Sequence, residues 1–116
     1  MTPVVPTVPS APLPLAGVRV VEMGQLIAGP FAGKTLGDFG ADVVKIESVP
    51  DGDPARSIRM PGESLELDGQ AFIAYNHGKR SIAIDLRTEA GLALVLRMVE
   101  TADVVIENYR PGVADA

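Results

Sequence analysis

The chain has 116 residues, 47% of them hydrophobic and 22% charged, which bounds it to one small globular domain. A net charge of −5 argues against a nucleic-acid-binding domain, which would normally be basic. With no cysteine and one histidine, His77, neither a disulfide framework nor a protein-only zinc site is expected.

Met1 to Ala16 carries prolines at 3, 6, 9, 12 and 14, a density that removes backbone donors and favours extended, solvated chain. It reads as a disordered tail, with the domain spanning 17–116. No cationic segment followed by an apolar core suggests a signal peptide, and no apolar run approaches the roughly 18 residues of a membrane helix. A cytoplasmic protein is the default expectation.

Val18 to Glu22 is a short run rich in β-branched residues, as in a buried strand. Gly24 and Gly29 punctuate the chain after it. Pro30 suits the first turn of a helix, where its missing N–H costs nothing. Gly40 sits where a left-handed helix C-cap is needed, and Val43 to Ile46 is a second apolar run. Such a strand–turn–helix–strand unit brings loop backbone and a helix N-terminus to a strand's carboxyl end, a common place for an anionic ligand.

Val49 to Gly69 is irregular, rich in proline and glycine, and long enough to be a functional loop. Gln70 to Tyr75 suits a short helical turn. The polar stretch Asn76 to Arg80 leads into a third strand, Ser81 to Ile84. Thr88 to Thr101 reads as the most secure helix, capped by Thr88, with Glu89 placed against the positive dipole end. Leu92, Val95, Leu96 and Val99 follow the spacing of a buried face. Val104 to Ile106 is a fourth strand, closed by Glu107, Asn108, Tyr109 and the breaker pair Pro111-Gly112. The order β-α-β, long loop, β-α-β predicts an α/β fold: a Rossmann-like parallel sheet with right-handed crossovers and helices on its faces.

Three local patterns invite a ligand. Ala28 to Thr35, AGPFAGKT, satisfies a loose phosphate-loop pattern, but Pro30 removes one of the amides that must curl round a phosphate. Its start also lies five residues beyond Met23, which places Gly33, Lys34 and Thr35 inside the helix, with Gly33 and Gly37 on one closely packed face. Gly24 and Glu47 have the spacing of a dinucleotide site, but GQLIAG lacks the glycine fingerprint. Arg56, Arg59, Lys79, Arg80, Arg87 and Arg110 form a scattered cationic set; gathered on one edge, they would neutralise a phosphorylated ligand, and otherwise they are solvated surface. His77 reads as a surface loop residue rather than a catalytic base. No spacing suggests a serine, histidine and acid arrangement.

Four stretches together resemble the amino-terminal part of family III CoA transferases, the group that also contains the alpha-methylacyl-CoA racemases and the carnitine-pathway CoA transferase. They are LAGVRVVEMGQLIAGPFAGKTLGDFGADVVKIE, GDPAR, NHGKRSIAIDLRTEAG and ADVVIENYRPGV, in the family's order and spacing. The resemblance implies a CoA-binding core, incomplete relative to the family, with coenzyme A entering as the acyl-CoA substrate and no further cofactor or metal. It implies CoA contacts at Ile27 and Ala28, at Ser48, at Ile84, Asp85, Leu86 and Arg87, and at Asn108, Tyr109 and Arg110. Ile27 and Ser48 stand where the formyl-CoA transferase branch has glutamine and arginine. The family's chemistry uses an aspartyl nucleophile that forms a mixed anhydride and then an enzyme-bound CoA thioester. That aspartate lies beyond Pro111-Gly112, so no catalytic residue is assigned within this chain. The expectation is a truncated piece of a CoA transferase acting on acyl-CoA and a carboxylic acid, homodimeric at full length, with no nucleic acid or membrane as partner. A racemase, working by proton abstraction beside the thioester, and a non-catalytic CoA-binding or assembly fragment are the alternatives.

Overall fold

The computed structural model describes residues 11–115. Its elements follow the expected order: β1 (Arg19–Glu22), α1 (Ala28–Asp38), β2 (Asp42–Glu47), a 3₁₀ turn (Pro54–Arg56), α2 (Gln70–Asn76), β3 (Arg80–Ala83), α3 (Glu89–Glu100) and β4 (Val104–Ile106). The strands form one parallel sheet in the order β3-β2-β1-β4. Two crossovers run outward from β1 to β3. The third, through α3, returns to the far side of β1, so the strand order reverses between β1 and β4. The sheet is α/β and parallel, as the alternation of elements predicts.

The two sheet faces have different chemistry because side chains alternate along each strand. One face carries Val21, Ile46 and Ile84, which close on Val95 of α3, with Met23, Leu86, Leu94, Met98, Val99 and Ala102 packed around them. The opposite face, under α1 and α2, carries Val20 and Val43 but also the buried charges Glu22, Lys45 and Glu47. Gly33 and Gly37 both lie on the inward side of α1: a Cβ on Gly33 would sit 2.0 Å from Glu22 Oε2, and one on Gly37 would touch Val43.

Local rules account for the element ends. The Thr88 side chain accepts a hydrogen bond from the Gly91 N–H and caps α3. Gly40, at φ +105°, ends α1 in the left-handed region that a side chain disfavours. One expectation needs correction. Leu92 and Leu96 are 46% and 54% exposed, and the inward face of α3 is instead Leu94, Val95, Met98 and Val99. Apolar residues nearly encircle this helix, so two stripes fit the same periodicity, and packing against Ile46 and Ile84 selects one. The expected tail spans residues 1–16. Residues 1–10 lie outside the described residues, but the Leu15 N–H donates to the Phe39 carbonyl at 2.8 Å, and a side chain at Gly40 would collide with Leu13.

Candidate functional site

The strand order reverses at the carboxyl ends of β1 and β4, the place where open α/β sheets bind ligands. On one side stands the turn Gly24–Ile27, which leads into α1. Gly24 and Gly29 pack backbone on backbone; a Cβ on either would come within 2.7 Å of the other's Cα. Leu26 takes φ +64°, a conformation that costs a branched side chain free energy and persists only where its surroundings hold it. Ile27 and Ala28 are exposed, and no side chain caps α1 at Ile27.

Asn108, just past β4, stands on the other side. The Gln25 N–H donates to Asn108 Oδ1 at 2.8 Å, and Asn108 Nδ2 donates to the Gln25 carbonyl at 2.9 Å. This paired contact ties Asn108 to the turn before Ile27 and Ala28, and half-buried Tyr109 and exposed Arg110 follow it in the chain. Burial, and then the charge of Glu107, raises the Tyr109 pKa.

Beneath the turn lies a buried, charge-balanced knot. Glu22, Lys45 and Asp53 are 0%, 1% and 2% exposed. Lys45 Nζ meets Glu22 Oε1 and Asp53 Oδ2, each at 2.9 Å, and donates to the Gly24 carbonyl at 2.8 Å. Lys79 Nζ reaches Glu22 Oε2 at 2.6 Å and donates at 2.8 Å to both the Pro30 carbonyl and Asn76 Oδ1. Asp53 Oδ2 and Glu22 Oε2 meet their ammonium partners at ion-pair distance, off the hydrogen-bond direction. Burial lowers the Lys79 pKa, against the pull of Glu22.

A second recess lies at the carboxyl ends of β2 and β3. It measures about 240 Å³ and is lined by Glu47, Ser48, Pro50, Asp51, Gly52, Arg56, Ser81 and Ala83. Burial pushes the Glu47 pKa up. The Arg56 guanidinium, the Ser81 hydroxyl and the Asp53 N–H outweigh that and hold the carboxyl at about 2. Arg56 also pairs with Asp68 and lies over the Phe72 ring, 3.9 Å from its centroid. Beyond β3, Asp85 and Arg87 form a two-bonded exposed pair, at 2.8 and 2.9 Å. Leu86 and Ile84 pack into the core on the α3 side, which leaves Ile84 only its backbone for a ligand.

The sequence-predicted residues therefore fall into two groups on one edge. Ile27 and Ala28 follow β1, and Asn108, Tyr109 and Arg110 follow β4, its neighbour in the sheet. Ser48, past β2, and the segment from Ile84 to Arg87, past β3, lie toward the other side; the outermost strands are three spacings, or roughly 14 Å, apart.

The cationic set is not gathered. Lys79 is buried in the knot, and Arg80 pairs with Asp42 at the opposite, amino edge of the sheet. Arg59 donates to carbonyls of its own loop. Lys34 and Thr35 lie within α1, where Lys34 pairs with Asp38 and the Thr35 hydroxyl donates to the Phe31 carbonyl. Glu47 is committed to Arg56, Ser81 and Asp53, which leaves no ribose acceptor for a dinucleotide. His77 is exposed. The knot is what the sequence reading missed. Its signal is Lys45 within the apolar run from Val43 to Ile46, at a position of the same parity as Glu47.

Comparison with known proteins completes the description. The sequence model of CoA-transferase family III matches residues 15–116. The chain is 47% identical over 111 residues to a succinate–glutarate CoA-transferase of Agrobacterium fabrum, covering 91% of this chain and 28% of that protein. It is 44% identical over 101 residues to the alpha subunit of a succinyl-CoA–L-malate CoA-transferase of Chloroflexus aurantiacus, covering 86% of this chain and 23% of that one. The crystal structure of a CAIB/BAIF family protein from Brucella suis superposes with a TM-score of 0.79 at 48% identity, over 90% of this chain and 28% of that one. The chain thus spans about a quarter of the length of these relatives.

Proposed function

This chain belongs to CoA-transferase family III, and on that premise we propose that it forms the CoA-binding part of an enzyme that moves CoA between carboxylic acids. One observation supports the reading: Asn108, just past β4, pairs with Gln25 in the turn that leads to Ile27 and Ala28, at the point where the strand order reverses. The exposed turn backbone at Ile27 and Ala28 suits the amide-bearing pantetheine arm. Arg110, and Arg87 on the β3 side, suit the CoA phosphates, because guanidinium–phosphate hydrogen bonds are charge-assisted. The spread of these residues along the sheet edge, roughly 14 Å between the outermost strands, suits an extended ligand better than a compact one.

The covalent step we assign is attack by an aspartate carboxylate on the acyl-CoA thioester, which gives a mixed anhydride and releases CoA thiolate. The thiolate then attacks the aspartyl carbonyl and releases the donor acid; the acceptor acid reverses both steps. The nucleophile belongs to sequence outside residues 1–116. The relatives' names include succinyl-CoA, malate and glutarate, so dicarboxylic acids are the substrate class to test first. Homodimeric assembly and a cytoplasmic location belong to the same reading. Among the described residues no helix is long and apolar enough to cross a membrane.

The test carries this region in a chain of the relatives' length. Arg87→Ala should weaken CoA binding by about 1–3 kcal/mol by calorimetry, provided phosphate displaces Asp85 from the guanidinium. Unchanged affinity rejects Arg87 as a contact. The 116-residue chain by itself should transfer no CoA; transfer by purified chain would mean that one of its own carboxylates is the nucleophile.

A further inference from the structure

We infer that Asp53 is a positioning residue that holds the β1–α1 turn in its ligand-ready shape, an inference that rests on the CoA-binding reading above. Asp53 lies 27 residues beyond Leu26 in sequence, in the long loop, yet it is 2% exposed and sits directly behind the turn. Its side chain makes three contacts. Oδ1 accepts from the Leu26 N–H at 3.1 Å and from the Ala55 N–H at 2.9 Å, and Oδ2 pairs with Lys45 at 2.9 Å. Its backbone N–H donates to Glu47 Oε2 at 3.0 Å, which ties the same residue to the end of β2.

The three contacts have separate tasks. The Ala55 bond caps the 3₁₀ turn and fixes the loop locally. The Lys45 pair supplies the charge that makes burial of a carboxylate tolerable, and Lys45 in turn grips the Gly24 carbonyl. The Leu26 bond then acts on the one described non-glycine residue with left-handed backbone. Gly24 is held through its carbonyl and Leu26 through its N–H, so the chain between them has little freedom. The exposed residues Ile27 and Ala28 follow directly. Without Asp53, Leu26 is free to relax to negative φ, and the peptides of Ile27 and Ala28 rotate with it.

Site-resolved amide exchange separates this role from general stability, because it reads Leu26 against the sheet in the same molecule. In the 116-residue chain, Asp53→Ala should raise exchange at Leu26 about 100-fold relative to Val44 in β2. Asp53→Asn, which keeps the Oδ1 acceptor but sets its amide NH2 against Lys45, should restore part of that protection. In a chain of the relatives' length, Asp53→Ala should raise KM for acyl-CoA about tenfold or more, with Asp53→Asn intermediate. Unchanged Leu26 protection in Asp53→Ala overturns the inference, as does equal loss of protection throughout the sheet in both variants, which would make Asp53 a general stability residue. An opened Leu26 amide with unchanged KM also overturns it. If the unsubstituted full-length protein has no affinity for CoA, the CoA-binding reading fails, while the exchange data still decide whether Asp53 holds the turn.

Discussion

Glu47 shows how one buried acid is stabilised. Burial pushes its carboxyl up, but the Arg56 guanidinium, the Ser81 hydroxyl and the Asp53 N–H outweigh that and hold it at about 2, below the ordinary 4.5. The group therefore favours the folded state above the unfolded pKa, and that contribution is lost as pH falls from about 4.5 to about 2. With Arg56 partly exposed, the contribution is on the order of 2–3 kcal/mol. Urea unfolding across that window should show wild-type stability falling more steeply than that of Glu47→Gln. Equal slopes would mean that another carboxylate dominates the acid limb. Glu47 itself was legible as a strand-end acid. Its partners were not, because Arg56 and Ser81 lie 9 and 34 residues away in sequence.

Helix α1 is positioned by what it lacks. Gly33 lets the helix backbone approach Glu22, whose carboxylate is fixed between Lys45 and Lys79 and cannot step aside. Gly33→Ala gains helix propensity of about 1 kcal/mol but forces a Cβ into that carboxylate. The net effect should be a loss of about 1–3 kcal/mol, measured by denaturant midpoint. A stabilised variant would show that the interface has slack. The glycine pair at 33 and 37 was readable as a close-packing face from spacing alone. That Gly33 meets a carboxylate, while Gly37 meets apolar Val43, was not. Helix α3 shows the converse: its caps and length follow from local chemistry, but its rotation was misread, because apolar residues on several sides satisfy more than one stripe.

For the whole molecule, the edge at which the site forms follows from topology. Parallel strands joined by right-handed crossovers put every strand-to-helix turn at the same end, so Ile27, Ser48, Arg87 and Asn108 had to share an edge once the alternation was recognised. The amino-terminal boundary did not follow in the same way. Leu13 lies beside Gly40 and the Leu15 N–H donates to the Phe39 carbonyl, so truncation through Ala16 should lower the Tm by several degrees relative to truncation through Pro12. Equal midpoints would return the boundary to Gly17. Local sequence determined the element order, the parallel class, the α3 cap, the Gly40 C-cap and the family, because propensity, capping and motif spacing act over a few residues each. Tertiary structure decided the burial of Lys79, the placing of Arg80 at the opposite edge, the exchange between Gln25 and Asn108, and the role of Asp53. Each of these depends on a partner at least 20 residues away. Sequence displays such partners as isolated charges or amides, and only the folded sheet brings them within hydrogen-bond reach.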